Sequence, residues 1–352
     1  MLKLSADTVA LLEDVERRID PEVEEDFVSQ WRCFNYGGFD GDVFTPKRKK
    51  QSSPKVTLPR VNINDAIEDY DLMLRREMQG VSEALNGTRN NICIRANYGT
   101  GIMTSILGAE IFKMPYSNNT LPTTRSLDDT ERIREIVERG LPDINTGFGK
   151  NVFEFGEICL AVFEKYPKIK RYVTVYHPDT QGPLDIAELL FGGEMFYAMY
   201  DEPELVHGLL RLATDTYKAV MDKWYGLYPK DAEMNPHWGN LYHRGSIVLR
   251  DDSAMNLSPE LYSEFGAPYD NELLNTYDGG IIHFCGRGDH YIDIIAEMPK
   301  LYGINMSQPE YNDMEKVLKN TVDRGIRILG FDPAHITRLI DRPGGFHHNM
   351  NV

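Results

Sequence analysis

The stretch GGIIHFCGRGDH at 279–290 puts His283 and Cys285 two residues apart at the end of an apolar run. In an extended strand, side chains two apart face the same side, with origins about 6–7 Å apart. Ile282 and Phe284 then face the other way, toward covering helices. A zinc ion bonded at roughly 2.0–2.3 Å can bridge such an imidazole and thiolate, but it needs a third protein ligand. Spacing alone leaves a second reading open, a buried thiol beside a hydrogen-bonded histidine, because cysteine is a frequent core residue.

Other apolar runs end in reactive side chains too. RANYGTG at 95–101 offers Arg95, Asn97 and Tyr98, and YHPDTQGP at 176–183 offers His177 and Asp179. HWGNLYHRGSIVLRDDS at 237–253 carries His243, Arg250 and Asp252, NMSQPE at 305–310 carries Gln308, and GFDPAH at 330–335 carries Asp332. GGFHHN at 344–349 adds His347 and His348, of which at most one can face a metal from a strand. Any one of these residues reads equally as a loop side chain bonded to local backbone. Their recurrence after strand after strand points to one shared rim.

The positioning elements follow from periodicity. Short apolar runs at 91–96, 171–176, 246–250, 280–285, 301–306 and 325–331 alternate with helical segments, which argues for parallel strands joined by helical crossovers. Two more strands are expected near 111–115 and 343–348, completing a (β/α)8 TIM barrel with functional groups at the strand C-termini. Helices are signalled by Asp201 before Pro203 and by Ser258 before Pro259. Residues 1–87 read as an N-terminal extension and 88–352 as the barrel. Within the extension, residues 1–60 look polar and irregular, with PKRKKQSSPK at 46–55 as a solvated loop. An amphipathic helix then runs from Asn64 through Ile67, Tyr70, Met73, Leu74, Met78, Val81 and Leu85.

Composition narrows the partners. The 38 basic and 54 acidic residues give a formal net charge of -16, which repels nucleic acid and anionic bilayers. No run reaches the roughly 18 apolar residues of a membrane helix. Asp7, Glu13 and Asp14 interrupt the N-terminal apolar residues, so no export signal is expected and a cytoplasmic location is. Four cysteines, Cys33, Cys93, Cys159 and Cys285, are too few and dispersed for a disulfide framework and read mostly as buried thiols.

GPLDIAELLFGGEMFYAMYDEPELVHGLL at 182–210, DDSAMNLSPELYSEFGAPYDNELL at 251–274 and GGIIHFCGRGDHYIDIIAEMPKLYGINMSQ at 279–308 resemble the uroporphyrinogen decarboxylase superfamily. The resemblance covers most of residues 90–333. The LSPELYSEFGAPY helix start and the His-x-Cys-Gly strand end look like the branch that contains cobalamin-dependent methyltransferases. It implies a (β/α)8 barrel with its site at the C-terminal rim. In that branch zinc is held by the His-x-Cys pair and a later cysteine, and Asp332 stands where that cysteine would be. The resemblance therefore implies His283, Cys285 and Asp332 as metal ligands, with a turn-capping aspartate as the other reading of Asp332. True decarboxylases carry an arginine-rich N-terminal motif and an aspartate after the first barrel strand. Here the matching loop is NYGTG, with no acid, so decarboxylation of uroporphyrinogen is disfavoured.

The expected activity is transfer of a methyl group between a small methylated compound, or methylcobalamin or another methylcorrinoid, and a nucleophile. The metal would be zinc, and a corrinoid protein is a candidate partner. His177, Asp179 and Asp252 would serve the chemistry, and Arg95, Asn97, Tyr98, His243, Arg250 and Gln308 would bind substrate. The alternatives are a decarboxylase or lyase for another carboxylate, using Arg95, Arg250 and His177, and a barrel that only binds a corrinoid.

Overall fold

The computed structural model describes residues 3–231 and 233–352. It is a mixed α/β fold built on a six-stranded parallel sheet. Ile247–Arg250, Gly280–Phe284, Leu301–Met306, Arg327–Ile328, Met350–Asn351 and Val43–Phe44 are neighbours in that order. Cys93–Ile94 and Thr174–Val175 form a separate parallel pair. Among the described residues the backbone ladder joins these two groups on neither side, so a closed eight-stranded ring is not shown.

Alternation along the strands sorts the side chains as expected. Ile282, Phe284, Ile304 and Met306 are buried in the large cluster shared with the helices. Val248, Ile281 and Leu329 point the other way, into a smaller cluster with Phe27, Trp31 and Phe34. Those three aromatics lie on one stripe of the helix Pro21–Asn35, and Trp31 packs edge-on against Phe44 at 5.0 Å. The same cluster takes Met234, Leu241 and Tyr242 from an antiparallel hairpin, Met234–His237 with Leu241–Arg244.

Several expectations need correction. Residues 1–60 are not irregular throughout: Ala6–Arg18 and Pro21–Asn35 are helices, and Val43–Phe44 supplies a parallel strand. Ile111–Phe112 pairs antiparallel with Thr123–Thr124 and takes no part in the parallel set. The last strand is Met350–Asn351, after the turn-rich 343–348 segment. The long amphipathic helix is Tyr70–Asn86, started by Asp69, whose side chain accepts from the backbone N–H groups of Asp71 and Leu72. Asp69 competes for the backbone there, which separates the short helix Ile63–Ala66 from it. Of the four cysteines only Cys159 is buried. Ser258 caps Pro259–Phe265 as expected, accepting from Leu261 N at 3.3 Å. No helix among the described residues is long and apolar enough to cross a membrane.

The break between Thr174–Val175 and Ile247–Arg250 is bridged without a ladder. Val248 N–H donates to His177 Nε2 at 3.1 Å, Gly182 N–H to Arg250 O at 2.7 Å, and the Tyr225 hydroxyl to Ser246 O at 2.6 Å. These bonds satisfy edge groups that would otherwise be buried unpaired.

Candidate metal centre

Three parallel strands bring Arg250, His283 and Asn305 into register, Arg250 opposite His283 and His283 opposite Asn305. On one face these side chains form a row spaced by the strand separation of about 4.8 Å. Just beyond the strand end, Cys285 turns its thiol to 3.4 Å from His283 Nε2. Asp252 opens the loop after Ile247–Arg250, its Oδ1 lying 3.6 Å from the same nitrogen and accepting from Cys285 N–H at 2.7 Å. The donor atoms of Asp252, His283 and Cys285 all lie within 4.8 Å of one another. Tetrahedral zinc with bonds of about 2.0–2.3 Å separates its donors by roughly 3.3–3.8 Å, so the two measured spacings fit that ion. One nitrogen, one sulfur and one carboxylate oxygen make the three-ligand set of sites that keep a fourth position open. The Asp252 side chain is 42% exposed, so the group borders solvent.

The surroundings hold this geometry. His283 Nδ1 lies 2.6 Å from Asn305 Oδ1, and Asn305 Nδ2 donates to Leu329 O at 2.6 Å. The Gln308 side chain accepts from Gly286 N–H at 2.6 Å, and Asn312 Oδ1 accepts from the N–H groups of Gly288 and Asp289, fixing the turn after Cys285. Burial pushes the Cys285 thiol up to about 11; the Asp252 carboxylate adds to that push and Ser307 opposes it. The thiol therefore needs a cation to become a thiolate near neutral pH. Burial also lowers His283 and keeps the imidazole neutral, as a ligand must be, although Asp252 and Asn305 oppose the shift.

Asp332 has no place in this group. It is exposed and caps the short helix Pro333–Ile336, accepting from Ala334 N–H at 2.8 Å. The third place falls to Asp252, which the ladder carries beside His283. His347 and His348 are also elsewhere, near Asp323 at 3.4 Å and Gly41 O at 2.7 Å.

Beside the metal group lies a buried ionic knot. Asp179 Oδ1 pairs with Arg250 Nε at 2.7 Å and its Oδ2 with Arg95 Nη1 at 3.1 Å. Burial alone would raise the Asp179 carboxyl, but Arg250 and then Arg95 outweigh it and hold the group below the usual range. Arg250 also donates to His237 Nε2 at 2.8 Å, and its guanidinium lies over Trp238, 5.1 Å from the ring centre. Trp238, at the hairpin tip with φ +48°, sits edge-on to His283 at 5.0 Å. It thus joins the knot to the metal group. Arg95, Asn97, Tyr176 and Trp238 line a cleft of about 310 Å³ with Arg60, Arg76, Glu77 and Glu83.

His177, Asp179, Arg95, Asn97 and Arg250 therefore gather in one neighbourhood. His243 is fully buried within the hairpin, bonded through Nδ1 to Arg244 O at 3.0 Å. Tyr98 is wholly buried against Phe148 and does not reach the cleft. The sequence reading passes over Asn305, His237 and Trp238. It also misses a buried carboxyl group behind Asp252: Asp185 accepts from the N–H groups of Asp252 and Ser253 at 3.1 and 2.7 Å. Burial, then the charge of Asp252, pushes Asp185 up to about 8. An acid inside the apolar helix start PLDIAELLF is the signal that could have flagged it. Compared with known proteins, the chain matches no protein-family model and no curated protein.

Proposed function

We propose that this chain is a zinc-dependent methyltransferase-like enzyme of the uroporphyrinogen decarboxylase superfamily, its eight parallel strands forming an opened (β/α)8 barrel. The observation that carries the reading is the convergence of Asp252, His283 and Cys285 at neighbouring strand ends, with spacings of 3.4 and 3.6 Å. Zinc bound there would lower the pKa of a thiol or oxygen acceptor and keep it anionic for attack on a methyl carbon. Arg95 and Arg250 share the charge of Asp179, with Glu77 beside Arg95 as a second counter-charge, so this corner would take a polar end of the substrate. Asn97 and Trp238 bound that end, and Gln308 holds the turn that presents Cys285. The methyl source would be a small methylated compound or a methylcorrinoid carried by a partner protein.

The test is elemental analysis of gently purified protein together with methyl transfer from methylcobalamin to thiols. We expect about one zinc per chain, lost in His283→Ala and Cys285→Ser, and weakened in Asp252→Asn. Metal-free protein whose affinity for added zinc is the same in Cys285→Ser would overturn the reading. A second reading is favoured by Asp185, whose carboxyl is pushed up by burial and then by the charge of Asp252. A carboxylate held by Arg95 and Arg250 could be lost as CO2, with such an acid protonating the carbanion. Metal-independent release of CO2 from a small carboxylate would select that reading.

A further inference from the structure

We infer that Asn305 is the positioning residue that turns His283 into a metal ligand, by fixing on which ring nitrogen its proton sits. This rests on the metal reading above and deepens it.

The amide of Asn305 has only one orientation that fits. Leu329 O accepts hydrogen bonds and cannot donate, so the atom 2.6 Å from it is the NH2 group. The carbonyl Oδ1 must then face His283 Nδ1 at 2.6 Å. A carbonyl is an acceptor, so His283 Nδ1 carries the proton and donates. The lone pair is left on Nε2, the atom that lies 3.4 Å from Cys285 Sγ and 3.6 Å from Asp252 Oδ1. In the other tautomer Nε2 would carry the proton and could not bind a cation.

The fold takes particular trouble to place this asparagine. Gly280 pairs with Leu301, and an unbroken register from there would set Ile304 beside His283, since each lies three residues further along its strand. Instead the register slips by one between Leu301 and Gly303, with Tyr302 as the extra residue, and Asn305 pairs with His283. A one-residue slip exchanges the two faces of a strand. The bulge therefore swaps an isoleucine for an amide at the one row where a carbonyl is needed, while Ile304 and Met306 return to the helix-side core.

The turn after Arg327–Ile328 completes the device through its backbone. Gly330 has φ +62°, and a Cβ there would press to 3.0 Å from Asn305 Nδ2. Gly330 N–H is held by Asn351 Oδ1 at 2.9 Å, which anchors the adjacent Leu329 carbonyl. The GFDP segment thus serves the site from behind, through Leu329 O and the bare Gly330, while the Asp332 side chain points to its own helix.

The experiment combines two readouts on the full chain. Long-range nitrogen–proton NMR of histidine-labelled, metal-free protein reads the His283 tautomer, and chelator competition reads zinc affinity. We expect an Nδ1–H imidazole in the wild type. Asn305→Leu should lose that fixed tautomer and bind zinc about 10–100-fold more weakly with an unchanged circular dichroism spectrum. Asn305→Asp, which keeps an acceptor toward His283 but sets a second oxygen against Leu329 O, should retain the tautomer and recover part of the affinity. An Nε2–H imidazole in the wild type, or an Asn305→Leu protein with unchanged tautomer and zinc affinity within about twofold of wild type, would overturn the inference. If the wild type holds no zinc, the metal reading fails, while the tautomer of the metal-free protein still decides the role of Asn305.

Discussion

The metal group and the ionic knot beside it are neighbours, yet they are held in place by different means. His283 and Asn305 take their places from the parallel ladder, bulge included, which sets their spacing through backbone pairing. Arg95, His177 and Asp179 sit across the break in the sheet, where His177, Gly182 and Tyr225 stand in for the missing ladder. On the first side the side chains are passengers of the backbone. On the second they hold the backbone together. Equivalent mutations should then fail differently, with metal lost and fold kept on the ladder side, and fold lost on the other.

The largest effect is expected at Asp179. Asp179→Ala leaves two buried guanidinium groups without their shared counter-charge, and breaking such a pair costs about 3–5 kcal/mol. Denaturant unfolding should show that loss, and any protein that still folds should keep its zinc. A stable Asp179→Ala variant that has lost zinc would reverse the comparison.

His177→Phe sharpens it further. Val248 N–H loses its acceptor, at a cost of about 1–3 kcal/mol near neutral pH. The cost should shrink in acid. An unfolded histidine takes up a proton near pH 6.5, whereas burial, aided by the charge of Arg250, holds His177 in the folded protein down at about 3. Below pH 6.5 the unfolded wild type binds a proton that the folded state refuses, so the wild type loses up to about 1.4 kcal/mol per pH unit at this residue. The variant lacks that loss. Urea unfolding of both proteins at pH 7.5 and 5.5 checks the narrowing, and a gap that widens in acid would contradict it.

Asp332→Ala should have the smallest effect. Losing a helix cap costs about 1 kcal/mol, so the melting temperature should fall slightly while zinc content stays the same. Loss of zinc in this variant would return Asp332 to the ligand set in place of Asp252.

The same contrast explains what the sequence made readable. The inward face shared by His283 and Cys285, and the outward Ile282 and Phe284, follow from period-two alternation in a strand five residues long. Asp252 as a third donor does not, because its place beside Cys285 depends on which strand pairs with Gly280–Phe284. Residue types at 301–306 give no hint of the bulge at Tyr302, so Asn305 could not be assigned to either face. Val43–Phe44 is two residues long, too short for any periodicity, and lies in a segment that read as irregular. The hairpin whose tip carries Trp238 was hidden by Pro236 and by a run of polar residues that suited a loop equally well.

Val43–Phe44 has one more consequence. Its sheet partner is Met350–Asn351, and Val352 N–H and Asn351 Nδ2 both donate to Phe44 O, at 3.1 and 3.2 Å. Phe346 N–H reaches back to Asp42 Oδ1 at 2.6 Å. During synthesis the chain emerges from its N-terminus at about 5–20 residues per second. Val43–Phe44 must therefore wait for some three hundred later residues, roughly 15–60 seconds, before its partner strand exists. Over that interval Phe44 lacks its partner strand, while the aromatic stripe of Pro21–Asn35 waits for Tyr242, Val248 and Ile281. The pairing that completes this edge is thus the most distant in sequence of the sheet's pairings, and it forms only after the other strands have been made.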